Sequence, residues 1–368
     1  STRGFSDLFL IFNLTEHNII FGGFFMKGYG MISVDNVGWI EKDKPVLTGG
    51  DAILRPIAVA PCTSDTHTSH GGAGPKENLI LGHEAIGEVV EVADDVKHFK
   101  PGDIVVVPCV TPDWSAKALQ DGYYNEAHDV GLMQGFKFLN SKDGVFAEFF
   151  HVNNADSNLV LKPENVSIEQ ALMTVDMMST GFCGAEMADV KYGDTVVVFG
   201  IGPVGLMAVA GAALRGAGEI IAIGTRPDCI ALAKEYGATK ILSYKEGDLA
   251  DQVRAIYPEG VDCTIIAGGT TENINQSLRM VKANGTISNI NYFDVSEDIS
   301  FPAALWGLGM ADIKIVGGFC RGGAKRIERM LNIIAAKRLD PGKLLNYKYE
   351  GFDKIEEAFK VMDENPEI

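Results

Sequence analysis

Two rhythms of hydrophobic and polar positions divide the chain. From Met26 to about residue 175 the apolar runs are short and are cut by Gly, Pro and Asp, as in residues 85–92, then Lys100-Pro101-Gly102-Asp103, then Ile104–Val107. Runs of this length between turn residues predict strands and a β-rich half. Met26-Lys27-Gly28-Tyr29-Gly30-Met31-Ile32-Ser33-Val34 alternates like a first strand. From about residue 190 the rhythm changes. Thr195–Phe199 and Glu219–Ile223 are apolar runs, each followed by a turn and by a helix-compatible stretch that opens at Pro203 and at Pro227. Residues 240–243, 263–267 and 285–290 continue the series. Strands alternating with helices at this spacing predict a parallel sheet with crossover helices. The expected fold class is α/β, a β-rich domain beside a doubly wound parallel sheet.

Composition narrows the partners. The 368 residues are 46% hydrophobic and 22% charged, which supplies about two packed cores and excludes a disordered chain. Thirty-two basic residues against 49 acidic ones leave a formal charge of −17. That field repels phosphate backbones and anionic bilayers, so neither nucleic acid nor membrane is an expected partner. Cys62, Cys109, Cys183, Cys229, Cys263 and Cys320 are dispersed, with no C-x-x-C pair. They read as reduced thiols of a reducing compartment, the cytoplasm. Residues 1–25 break the pattern: the chain begins at Ser1, and its apolar runs around Phe9 and Ile19 are too short to span a bilayer and too interrupted for a secretory signal. The expectation is a non-native or disordered leader, with Met26 as the natural start.

Two signals carry chemistry. The run Thr195–Phe199 ends in Gly200-Ile201-Gly202-Pro203-Val204-Gly205 and leads into a helix-compatible stretch, the context that a dinucleotide fingerprint requires. Gly200 permits the tight turn, Gly202 the approach of a pyrophosphate, and Gly205 the packing of helix on strand, while Pro203 suits the first helical position. An NAD-preferring site would place a carboxylate after the second strand, but here stand Gly224, Thr225 and Arg226. A small residue, a hydroxyl and a guanidinium favour the 2′-phosphate of NADP. The second signal is Cys62 followed by Gly82-His83-Glu84. A catalytic zinc takes three protein ligands and leaves a fourth position open. Asp176, set among Val175, Met177 and Met178, offers a third, because burying that carboxylate without a cation would be expensive.

With these motifs on view, the chain resembles the zinc-containing medium-chain alcohol dehydrogenases, and within them the NADP-dependent secondary-alcohol dehydrogenases of anaerobic bacteria, archaea and amoebae. The likeness runs from Met26 to about residue 365, through Ala-Pro-Cys-Thr-Ser-Asp-Thr-His-Thr at 60–68, Leu-Gly-His-Glu at 81–84, Thr-Pro-Asp-Trp at 111–114, Lys-Asp-Gly-Val-Phe at 142–146, Gly-Ile-Gly-Pro-Val-Gly-Leu-Met at 200–207 and Ile-Ser-Asn-Ile-Asn-Tyr at 287–292. The resemblance implies a GroES-like catalytic domain over 26–179 and 320–368 around a Rossmann NADP-binding domain over 180–319. It implies Cys62, His83 and Asp176 as zinc ligands with Glu84 as an alternate, Ser64 and His67 as a proton relay, and Tyr244 beside Gly224, Thr225 and Arg226 at the 2′-phosphate. Cys109, Val110, Phe136 and Phe319 depart from common family residues at positions that would line the substrate pocket. Cys183 stands where His is frequent and reads as core packing. Only Cys109 lies between 107 and 152, so the four-cysteine structural zinc of other branches is absent and one zinc per subunit is expected. The family's bacterial members are homotetramers, and its members continue past the position of Ile368 into a final apolar strand, which would make this chain truncated there. The implied activity is interconversion of secondary, and less well primary, alcohols with ketones and aldehydes. Rival readings are a polyol or threonine dehydrogenase, a zinc-free quinone or enone reductase, and a catalytically dead binding protein.

Overall fold

The computed structural model describes residues 10–13, 24–122, 135–294 and 296–364, with side chains omitted at 10–13 and 121. The described chain forms two compact units, one over Met177–Cys320 and the other over Leu8–Asp176 with Arg321–Ile368.

The second unit is built from short strands. In chain order these are β1 (Leu10–Asn13), β2 (Phe25–Ser33), β3 (Asn36–Asp43), β4 (Ala52–Ala60), helix α1 (Thr63–Ser69), β5 (Leu79–Ile80), β6 (Glu84–Val92), β7 (Ile104–Val107), β8 (Phe150–Val152), α2 (Ala155–Asn158), β9 (Val160–Leu161) and α3 (Ile168–Leu172). β4 and β6 pair antiparallel at the centre, with β7 then β9 beyond β6 and β8 also on β4. Pro56 of β4 has no N–H for the ladder, and it sits where the register shifts between Pro56 and Ala58. Leu54, Val89, Val105, Phe146 and Phe150 close the core. β1 pairs antiparallel with β4 at Phe12↔Val59, so at these four positions of the expected leader the backbone is part of a sheet. The remainder of 1–23 lies outside the described residues.

The first unit follows the predicted alternation. It contains α4 (Ser179–Met187), β10 (Thr195–Phe199), α5 (Pro203–Leu214), β11 (Glu219–Ile223), α6 (Pro227–Glu235), β12 (Lys240–Leu242), α7 (Leu249–Ile256), β13 (Val261–Ile266), α8 (Glu272–Met280), β14 (Val281–Asn289) and β15 (Lys314–Gly317). The six strands pair parallel in the order β12-β11-β10-β13-β14-β15. Val196, Val197, Val198 and Phe199 are all buried, as both faces of a parallel sheet under helices must be. Helix α5 is buried at every position from Gly205 to Ala212, so its sequence is apolar all round rather than on one stripe. The order reverses between β10 and β13, and ligands of such sheets bind at the carboxyl ends of the strands at that point.

The chain then returns to the second unit with α9 (Ala324–Ala335), β16 (Tyr347–Glu350) and α10 (Ile355–Asp363), β16 lying parallel to β1. Among the described residues no helix is long and apolar enough to cross a membrane.

α10 is clasped to α1 by His70, the residue that ends α1. His70 Nδ1 donates to Asp35 Oδ1 at 2.6 Å and Nε2 to Asp363 Oδ1 at 2.7 Å. Only the charged ring can donate from both nitrogens, and the Asp35 and then the Asp363 hydrogen bond raise its pKa above the ordinary histidine value. A raised folded-state pKa gives stability that is complete below the unfolded value and lost as pH rises through the folded one. His70→Ala is therefore expected to lower the melting temperature near pH 6 by about 1–3 °C, the small effect of a half-exposed pair. The deficit should shrink as pH climbs past the folded-state value. A deficit that grows with pH in thermal melts would refute the clasp.

Candidate active site

Every residue of the metal signal lies in the β-rich unit, and each is placed by a different piece of local structure. Cys62 caps the N-terminus of α1, where its backbone N–H donates to Asp65 Oδ2 at 2.9 Å. His83 follows Gly82, whose φ of +91° turns the chain out of β5 and into β6. A side chain at Gly82 would also put a Cβ 2.4 Å from Phe146 Cδ1, so only glycine serves there. Asp176 sits in the π-helical turn Thr174–Met178, the kind of helical irregularity that clusters at functional sites.

These elements bring Cys62, His83, Glu84 and Asp176 together, with one donor atom from each within 4.8 Å of the others. His83 Nε2 lies 3.2 Å from Asp176 Oδ2, 3.8 Å from Glu84 Oε1 and 3.2 Å from Ser64 Oγ. His83 and Glu84 are wholly buried, and Asp176 is 4% exposed. Both Glu84 oxygens are buried and lack a hydrogen-bond partner among the described residues. Burial first, then the charges of Cys62 and Asp176, pushes the Glu84 carboxyl well above its usual range. Burial alone would keep the His83 ring neutral, but the Asp65 and Asp176 carboxylates outweigh it and draw a proton onto the ring. The set as a whole demands positive charge. A thiolate, an imidazole and two carboxylates at this separation fit zinc better than a harder ion, for which sulfur is a poor donor.

Asp65 is the residue that the sequence reading missed. It is fully buried and ties three parts of the site: Oδ2 accepts from Cys62 N, while Oδ1 accepts from Gly82 N at 2.9 Å and from His83 Nδ1 at 3.2 Å. A carboxylate on Nδ1 would leave Nε2 free to hold a metal. The available signal was the acid at the third helical position behind the Cys62 cap, half of a capping box.

Around this centre, Ser64 is half-buried beside His83, and His67 is exposed one turn along α1. The Phe136 ring stands edge-on to the His83 ring, centroids 5.3 Å apart. Cys109 Sγ is within 4.8 Å of the Asp176 carboxylate, and Val110 beside it is fully buried. Phe319 belongs to the other unit, where its carbonyl accepts from Cys183 Sγ at 3.1 Å.

The parallel-sheet unit carries the nucleotide signal. Gly200 has φ +76°, and a Cβ on Gly205 would lie 1.8 Å from Gly200 O, so the first helical turn packs directly on the strand end. Gly202 caps α5, with Pro203 and Val204 opening it. A helix N-terminus there offers free N–H groups to a phosphate. Gly224 is buried at the end of β11, and Thr225 Oγ1 lies 3.0 Å from the hydroxyl of Tyr244. Arg226 Nη2 reaches to 3.7 Å from the position of a Cβ on Gly202, so the guanidinium overhangs the glycine turn. At the carboxyl end of β14, Asn289 Oδ1 is a buried acceptor with no partner among the described residues.

Known proteins resemble this chain over most of its length. Residues 203–336 match the zinc-binding dehydrogenase family model, and 48–164 match the alcohol dehydrogenase GroES-like domain. The chain is 54% identical over 343 residues to the NADP-dependent isopropanol dehydrogenase of Thermoanaerobacter brockii, covering 93% of this chain and 97% of that one. Identity to the corresponding enzyme of Clostridium beijerinckii is 52% with the same coverage, and to that of Entamoeba histolytica 48%, covering 93% of each. Among solved structures, a zinc-dependent alcohol dehydrogenase from Streptococcus pneumonia superposes with a TM-score of 0.82 at 26% identity, covering 93% of this chain and 96% of that chain. The alcohol dehydrogenase of Thermus sp. ATN1 superposes with 0.80 at 27%, covering 93% and 97%.

Proposed function

Because the chain belongs to the zinc-binding alcohol dehydrogenase family, we propose that it interconverts secondary, and less well primary, alcohols with ketones and aldehydes, using NADP. The observation that carries this reading is the convergence of Cys62, His83, Glu84 and Asp176, one donor atom from each lying within 4.8 Å of the others. Cys62, His83 and Asp176 would hold zinc, with Glu84 as alternate ligand. Bound there, zinc supplies Lewis acidity to the substrate oxygen, and NADP supplies the hydride chemistry.

The chain's own residues do the rest. Asp65 holds His83 in the tautomer that presents Nε2. Ser64, beside His83, accepts the alcohol proton, and His67 hands it on to solvent from the exposed side of α1. Phe136, Cys109 and Val110 limit water and shape the pocket. Gly200, Gly202 and Gly205 make room for the pyrophosphate, while Thr225, Arg226 and Tyr244 hold the 2′-phosphate next to Gly224. The catalytic domain comprises 26–179 and 320–368, and the NADP domain 180–319. One zinc per subunit, a homotetramer and a cytoplasmic setting complete the reading. A zinc-free reductase would have no use for the ligand set that the fold assembles.

Metal analysis together with coenzyme assays tests it. About one zinc per subunit is expected, with acetone and butanone oxidising NADPH much faster than NADH. Activity in protein free of zinc would end the metal role, and a preference for NADH would end the assignment of Arg226.

A further inference from the structure

β7 ends with Val107 opposite Ala85, next to Glu84, and runs on into a segment whose course is set by a polar hub outside the metal cluster. At its start, Cys109 N donates to Val175 O at 3.2 Å, one residue before Asp176. Two residues on, Asn153 reads the backbone like a template. Its Nδ2 donates to Thr111 O at 3.0 Å and Pro112 O at 3.1 Å, and its Oδ1 accepts from Thr111 Oγ1 at 3.0 Å and from Lys142 Nζ at 3.2 Å. All four valences of the amide are used. Asn158 adds a second bond to Pro112 O at 3.1 Å and one to Asn153 O at 2.9 Å, and accepts from Trp114 Nε1 at 2.9 Å.

Lys142 anchors the hub from the other side. Its Nζ also donates to His151 O at 2.8 Å and lies 4.5 Å from the centre of the Phe138 ring. Thr111 and Asn158 are fully buried, so groups freed by a broken bond would find no water to replace it. Burial first, then the neighbouring Lys137, pushes the Lys142 ammonium down to about 7, with Asp51 opposing. A lysine kept there against that cost is consistent with a positioning task.

We propose that Asn153, anchored by Lys142, is a positioning residue that, through Thr111, fixes the Cys109–Val110 wall beside Asp176 and thereby limits the size of alcohol the enzyme accepts. The inference rests on the proposed function, in which that wall faces substrate. Freed from Asn153, the wall would yield to a longer alkyl chain and grip a short one less well.

The test uses the zinc-loaded full chain, with 2-propanol and 2-pentanol as substrates. Asn153→Ala and Thr111→Val should each raise the KM for 2-propanol about tenfold, the worth of one or two buried hydrogen bonds, with kcat within about threefold. The ratio of kcat/KM for 2-pentanol over 2-propanol should rise about tenfold. Thr111→Ser, which keeps the hydroxyl, should retain the parent ratio. Zinc content and NADPH affinity should be unchanged in all three. An equal loss on both alcohols, or a fall in kcat with KM constant, would make the hub merely structural and overturn the proposal. If Asn153→Ala does not fold, the nearly isosteric Thr111→Val decides. Parent enzyme that holds zinc yet oxidises neither alcohol would overturn the underlying reading, and the inference with it; a parent that discriminates while the variants leave the ratio unmoved overturns the inference alone.

Discussion

An Asp176→Asn enzyme is expected to retain less than about a tenth of its zinc and to lose at least about a thousandfold in kcat, since zinc-site chemistry depends on a deprotonated ligand. The substitution keeps the volume and the π-helical turn but replaces an anionic oxygen with a carboxamide. His83 Nε2, 3.2 Å from Asp176 Oδ2, would then lose the partner that balances the site's charge. What complicates the outcome is Glu84, whose two buried oxygens have no hydrogen-bond partner among the described residues. If the side chain can swing in, it partly replaces Asp176, and some metal survives. The double variant Asp176→Asn with Glu84→Gln removes that escape and should bind no zinc. Metal content per subunit and steady-state turnover read both cases. Full zinc and ordinary turnover in the single variant would remove Asp176 from the ligand set.

Arg226→Ala should weaken NADPH by about 10- to 100-fold, the range for lost hydrogen bonds to a charged group, while NADH binding changes little. The guanidinium hangs over Gly202, so its loss removes charge at the glycine turn without altering the backbone that cradles the pyrophosphate. Thr225 and Tyr244, 3.0 Å apart, would remain and account for residual preference. The converse experiment, a Gly224→Asp switch toward NADH, carries a penalty that only the structure exposes: a Cβ at 224 would stand 2.3 Å from Ile201 Cγ1. That variant is expected to gain NADH affinity only when Ile201 is shortened to Ala, which removes the Cγ1 and Cδ1 carbons that the new Cβ would meet. Coenzyme affinities by fluorescence titration decide it, and an equal loss of NADPH and NADH in Arg226→Ala would contradict the phosphate role.

The parallel-sheet unit was almost wholly legible in the chain. Thr195–Phe199, Glu219–Ile223 and the helices opening at Pro203 and Pro227 stand where the hydrophobic runs placed them. Continuous apolar strands, glycine turns and proline starts are local rules, and a local rule needs no knowledge of distant partners. Less visible was β15, a four-residue edge strand at Lys314–Gly317 with exposed ends. Its pairing with β14 supplies what its composition does not. In the other unit the sequence marked turns and short strands but not their neighbours; the pairing of β1 with β16 joins segments more than 300 residues apart.

The same division holds at the site. Sequence alone singled out Cys62, His83, Glu84 and Asp176 as metal-binding types, and Gly224, Thr225 and Arg226 as a phosphate set, because the chemistry of a ligand is a property of the side chain. Tertiary structure decided that four donors separated by up to 114 positions of chain meet within 4.8 Å. It also decided that Asp65 stands behind His83 and that Asn153 bonds to Thr111, 42 residues earlier in the chain. Those roles belong to distances and to shared burial. A hydrogen bond between residues remote in sequence exists only once the strands between them have paired and water has been excluded.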